Sequence, residues 1–241
     1  MSKYDIYLYD DCNVLKNRLG IKDEKELDVA ESEYANANMM MLYDSDFSDF
    51  SPTGICKIHK AIFEDVYEWA GEYREINIQK REHILAGKSV WYSNWDAIEN
   101  DLKNAWNSIS KVKWNTLTQN EFATKVAHLF PKVWQTHPFR EGNTRTVVMM
   151  IALFAEHYGY FFDYELIAAS AGYVRNSFVL ASLGEYSEFE HLEKILKDAI
   201  STEPIENDDL DEVEMSEKTE KYKKYYSKDY KPSPHEYISN E

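Results

Sequence analysis

His137-Pro138-Phe139-Arg140-Glu141-Gly142-Asn143-Thr144-Arg145 is the stretch on which the reading of this chain turns. It brings an imidazole, a carboxylate, a small-residue turn and a cation together in one short window. Directly after it runs Val147-Val148-Met149-Met150-Ile151-Ala152-Leu153-Phe154-Ala155, apolar enough to form a buried helix. A Gly-Asn turn feeding a helix N-terminus suits an anion, because the first N–H groups of a helix have no intrahelical acceptor. The turn points to phosphate, and the His, Glu and Arg around it point to chemistry on that phosphate.

Outward from this window the chain reads as mostly helical. Residues 24–43 are helix formers without Gly or Pro, and 44–54 read as a loop. Ile55, Ile58, Ile62, Val66 and Trp69 recur at helical steps, with Gly71 as the stop. Residues 73–79 alternate, and Ser89-Val90-Trp91-Tyr92 follows a charged loop, which predicts a β-hairpin. Helical periodicity resumes over 95–109, 119–134, 143–158, 164–183 and 189–200. The expected fold is mainly α, a helical bundle with one β-hairpin. The expected organisation is a helical region at 1–54 packing on a core at 55–200, then a tail at 201–241. Within the tail, 203–217 holds eight acids and no base, and a stretch rich in Lys and Tyr follows. Such composition disfavours a packed core, so the tail is expected to be disordered or weakly helical.

Composition narrows the function. The 241 residues carry 43 acids against 27 bases, a formal charge of −16. A protein that grips nucleic acid backbone normally has a basic surplus, so nucleic acid is not the expected partner. Cys12 and Cys56 have no metal-ligand spacing and make no disulfide framework. The first residues lack an apolar signal core, and no apolar run approaches the roughly 20 residues of a membrane helix. A cytoplasmic protein without membrane contact is expected.

The central window resembles the signature of the Fic family, H-P-F-x-[DE]-G-N-G-R-x-x-R. Seven of its nine specified positions match: His137, Pro138, Phe139, Glu141, Gly142, Asn143 and Arg145. Thr144 replaces the second Gly, and Val148 the second Arg. The segment 58–71, ending in Trp69-Ala70-Gly71, resembles the family helix that ends in W-A-G, and 74–78 the strand after it. The resemblance spans roughly 10–200. It implies a Fic-like helical bundle with a hairpin flap. It also implies transfer of AMP from ATP, with Mg²⁺, onto a hydroxyl of a target protein or of the chain itself.

The residues suit those roles. An imidazole with an ordinary pKa near 6.5 can take a proton from a hydroxyl, and His137 is the expected general base. Glu141 is the expected Mg²⁺ ligand, since cations bound with phosphates take only one or two protein carboxylates. Gly142, Asn143, Thr144 and Arg145 are the expected phosphate cradle, with Asn143 on a phosphate oxygen and Arg145 on the outer phosphates. The resemblance implies that Phe139 points inward and anchors the loop, and it counts Phe139 among the nucleotide-binding residues. Arg140 is expected to face solvent. The resemblance assigns the flap the alignment of the target by main-chain pairing, with Ile76, Asn77, Ile78 and Gln79 as contacts.

Three alternatives stay open at this stage. Doc-like relatives carry Lys where Thr144 stands, bind the nucleotide flipped and transfer the γ-phosphate. Transfer from another nucleotide is the second alternative, since the second Arg is missing. A dead binding module that keeps the fold would also tolerate two lost motif positions. Many Fic proteins are silenced by a helix bearing [ST]-x-x-x-E-[GN], either within the chain or on an antitoxin-like partner. With Ala35-Asn36 in the final slot, the stretch 28–36 lacks the acid, and 182–186 fails the spacing, so no intact inhibitory motif is legible. A homo-oligomer and self-modification of the Tyr-rich tail remain further expectations.

Overall fold

Asp23 starts the first long helix by accepting the N–H of Glu26, and the computed structural model, which describes residues 5–205 and 212–223, builds a helical bundle from there. Helix α1 spans Glu24–Tyr43. Helix α2, Pro52–Phe63, begins inside the stretch read as loop. Ser51 accepts from the N–H groups of Thr53 and Gly54, and Pro52 is preset for a first turn. It ends at Phe63, whose carbonyl accepts the N–H groups of both Val66 and Tyr67 and tightens the chain into turns. Val66 and Trp69 therefore continue the apolar pattern without continuing the helix.

Helices α3 (Ile98–Ile109), α4 (Gln119–Thr136) and α5 (Asn143–His157) follow. A capping box between Thr118 and Glu121 opens α4. The expected helix over 164–183 is two, α6 (Tyr164–Ala169) and α7 (Ala171–Leu180), broken at Ser170. Helix α8 spans Glu190–Ala199. Two-residue strands β1 (Phe161–Phe162) and β2 (Ile200–Ser201) pair antiparallel beside it.

Helix α5 is the axis of the bundle. Every residue from 146 to 155 is buried, and α1, α2 and α4 pack around it. A fully buried large apolar side chain stabilises by about 1.5–3 kcal/mol, so this helix is held chiefly by its surroundings. Its N-terminus, where the sequence motif sits, is fixed in space as a result.

The antiparallel flap over 73–95 is present, but it is paired differently from two full strands. One bridge, Glu82↔Lys88, closes it around a 3₁₀ turn at His83–Leu85. Side chains do the rest: Ser89 Oγ accepts the Lys80 N–H at 3.2 Å, and Asn77 Oδ1 accepts the Trp95 N–H at 2.9 Å. A cavity of about 510 Å³ opens between the two arms, and Trp91 on its rim is 88% exposed.

Helix α9, Glu212–Lys223, lies in the stretch expected to be disordered or weakly helical. Tyr222 is buried, packs on Tyr173 with ring centroids 4.8 Å apart, and bonds to Asp198. Lys218 pairs with Asp163. A few specific contacts thus seat a helix of low overall hydrophobicity. Residues 206–211 and 224–241, including most of the Tyr-rich end considered for self-modification, lie outside the described residues. No helix among the described residues is long and apolar enough to cross a membrane.

Candidate active site

Helix α4 ends at His137, which adopts a left-handed backbone with φ 47°. A residue with a Cβ costs about 1 kcal/mol there, and the turn it makes swings the motif back toward α5. The imidazole is buried between Tyr92, 4.1 Å away by ring centroids, and Trp134. Neither ring nitrogen has a hydrogen-bond partner among the described residues. Burial, then repulsion from Lys80, Arg175 and Arg74, holds its pKa well below the ordinary value. His137 is therefore neutral and able to accept a proton.

The loop after it is closed by Asn143. Its Oδ1 accepts the Phe139 N–H at 2.9 Å, and its Nδ2 donates to the Phe139 carbonyl at 2.8 Å. The amide that sequence reading set toward a phosphate oxygen thus also braces the loop, and its second Nδ2 hydrogen is not used in these two bonds. Phe139 is wholly buried and stacks on His59 at 3.8 Å. His59 accepts the Gly71 N–H on Nδ1 at 2.8 Å, so its Nε2 carries the proton and donates to the Glu141 carbonyl at 3.1 Å. Burial pushes its pKa down to about 3. The W-A-G turn and the motif are thereby bolted together through a residue that sequence reading placed only as part of a resembling helix.

Gly142 begins α5 with φ 78°, and α5 has no side-chain cap. A Cβ at this position would lie 2.4 Å from the Phe63 ring. Packing therefore demands glycine here independently of any anion. The first N–H groups of α5 have no intrahelical acceptor, as an anion site requires.

Charged groups ring this end. Glu141 Oε1 accepts the Gly142 N–H at 3.0 Å, and Oε2 lies 3.8 Å from Lys80 Nζ, which reaches in from the flap. Burial pushes Lys80 down to about 8. Glu82, fully buried, binds Arg175 of α7 at 2.7 Å and the Tyr92 hydroxyl at 3.1 Å. Arg140, expected at the surface, is 1% exposed and holds Asp5 at 2.7 Å through Nη2. An N-terminal segment packed over the motif makes the difference.

Arg145 is engaged by Glu31 of α1 and lies over the Phe63 ring at 4.8 Å. Burial works against its charge, but Glu31 and Glu141 hold its pKa above the ordinary value. Glu31 also accepts from the Tyr67 hydroxyl. The alignment of the inhibitory motif gives Glu31 the slot where Ser or Thr is expected, not that of the acid. Leu27 and Ser32 occupy the positions where Ser or Thr and Gly or Asn would flag it.

Thr144, the main departure from the signature, accepts the Trp134 indole N–H on Oγ1 at 2.9 Å. Val148 is buried. On the flap, Ile76 and Ile78 are buried in the core, and Asn77 and Gln79 face the inter-arm cavity.

Residues 49–155 match the Fic/DOC family. The chain is 31% identical over 196 residues to "Protein adenylyltransferase VbhT" of Bartonella schoenbuchensis, covering 76% of this chain and 40% of that protein. It is 25% identical over 200 residues to "Probable protein adenylyltransferase Fic" of Salmonella typhimurium, covering 83% of this chain and 96% of that protein. The chain spans about two fifths of the first of these relatives and nearly all of the second. Among solved structures, BepC from Bartonella tribocorum with bound AMPPNP superposes with a TM-score of 0.70 at 22% identity, over 82% of this chain and 97% of that one.

Proposed function

Because this chain carries a domain of the Fic/DOC family, we propose that it is a protein adenylyltransferase that moves AMP from ATP to a hydroxyl of a target protein, in the cytoplasm. The observation that carries the reading is a buried neutral imidazole, without a hydrogen-bond partner among the described residues, on the loop that leads into the N-terminus of α5. His137 takes the proton of the attacking hydroxyl. The oxygen bonds to the α-phosphorus, and the bond to the bridging oxygen breaks, so pyrophosphate leaves. The N–H groups at the start of α5 face the charge that grows on the α-phosphoryl oxygens.

Glu141 suits Mg²⁺: it is a partly exposed carboxylate at the loop, and one carboxylate with phosphate and water completes such a donor set. Bound there, the ion would neutralise pyrophosphate charge. Arg145 holds the outer phosphates once it leaves Glu31. As found, the Glu31 pair competes for that arginine, so we read α1 as an inhibitory helix acting within the chain.

Labelled ATP tests this. With Mg²⁺, label from the α position should reach protein, and His137→Ala should abolish it. Label from the γ position alone would give the reaction to a kinase. Absence of transfer to protein or to water from both the chain and its Glu31→Ala variant would leave a binding module.

A further inference from the structure

Arg74 lies at the root of the flap and is 1% exposed. A buried guanidinium is normally matched by a carboxylate. The side-chain bonds of Arg74 instead go to main-chain carbonyls in three separate segments. Its Nε donates to His137 at 2.8 Å, its Nη1 to Ile76 in the first flap arm, and its Nη2 to Ser93 in the second arm. Its own N–H donates to the Pro138 carbonyl at 2.8 Å. One planar group thus joins both arms of the flap to the first residue of the catalytic loop. Burial lowers its pKa to about 10, so it remains charged.

A second set of contacts ties the same two places. Tyr7 accepts the Glu75 N–H on its hydroxyl at 3.0 Å, and Asp5 holds Arg140. The flap and the loop are therefore fastened to each other and to the N-terminal segment.

We propose that Arg74 is a positioning residue that sets the height and register of the flap over His137, and so governs transfer to a protein acceptor more than chemistry on the nucleotide. This rests on the adenylyl-transfer reading above. A flap that docks main chain can present a hydroxyl to His137 only if its distance from the imidazole is fixed, and about 1 Å of misplacement costs about 100-fold in rate. Water needs no such docking and is the natural control acceptor. A lysine carries the charge but cannot make three divergent bonds, so Arg74→Lys should fall between the unsubstituted chain and Arg74→Met.

The test uses α-labelled ATP and Mg²⁺ with two acceptors: water, read as free AMP, and a synthetic peptide of residues 218–230, read as labelled peptide. Arg74→Met should keep AMP release within about threefold and lose at least tenfold in kcat/KM for the peptide, with Arg74→Lys intermediate. A parallel fall in both reactions, or peptide labelling left unchanged, overturns the proposal. Should Arg74→Met fail to melt cooperatively, Arg74→Lys decides by the same split. Absence of transfer to either acceptor by the unsubstituted chain and its Glu31→Ala variant would sink the adenylyl-transfer reading instead. The tie is then read by amide hydrogen exchange. Joint opening of the two flap arms, 76–79 and 89–93, in Arg74→Lys with 137–143 kept protected supports it, and unchanged exchange in both arms overturns it.

Discussion

Glu31 and Arg145 meet in an ion pair across 114 positions of sequence, and the Tyr67 hydroxyl completes the contact on the Glu31 side. Arg145 cannot serve an anion fully while this carboxylate holds it. Glu31→Ala should therefore raise the initial rate of AMP transfer at least tenfold. It should also lower stability by about 1–3 kcal/mol, because a part-buried cation loses its partner. Tyr67→Phe, which leaves the carboxylate but loosens it, should raise the rate by a smaller factor. Parallel rate measurements and chemical denaturation check both, and a Glu31→Ala rate no higher than the unsubstituted rate would remove the inhibitory reading.

Gly142→Ala separates packing from catalysis. The new Cβ meets the Phe63 ring at 2.4 Å and must adopt φ 78°. The expected loss of stability is about 2–4 kcal/mol. Pairing it with Phe63→Leu should recover a large part of that loss. Failure of the pair to recover any stability in urea titrations would show that the backbone angle, not the ring, sets the requirement.

Thr144 is anchored through its hydroxyl, not merely tolerated. Thr144→Val keeps the shape and removes the acceptor of the buried Trp134 N–H, at a cost of about 1–3 kcal/mol. Thr144→Ser retains the hydroxyl and should lie within about 1 kcal/mol of the unsubstituted chain. Equal melting temperatures for the Val and Ser variants would refute the anchor.

Acid should destabilise the fold early. His59 and His137 both have folded pKa values below the ordinary 6.5, His59 at about 3. For such groups the unfolded chain binds the protons that the folded chain refuses, so their stabilisation is full above about pH 6.5 and is lost as pH falls below it. At pH 5 His59 alone accounts for about 2 kcal/mol. His59→Gln should flatten the decline between pH 7 and pH 5 in equilibrium unfolding, and an unchanged slope would contradict the assignment.

Local signals made much of this protein legible. Helix α1 runs over the stretch that helix formers without Gly or Pro marked out, and the motif lies where an apolar helix begins. What escaped depends on distant partners. Arg140 is buried by Asp5, and neither position marks the other. Glu31 was obscured because a motif fixes its neighbours, whereas a helix only has to present one face; Leu27 and Ser32 fill the flanking slots without disturbing that face. The flap alternates as a strand does, yet side chains at Asn77 and Ser89 replaced the expected ladder. Asn143 reads as a ligand in a motif, and only the geometry adds its second part as a brace of the loop.

Of the six tryptophans, Trp91 alone stands almost entirely in solvent, on the rim of the flap cavity, whereas Trp134 and Trp114 are buried. The protein thus carries an intrinsic optical probe at the place where an acceptor should dock. Iodide should quench the Trp91 fraction of the fluorescence selectively, and a bound acceptor should shield it. Screening for unknown acceptors then needs neither a label nor turnover.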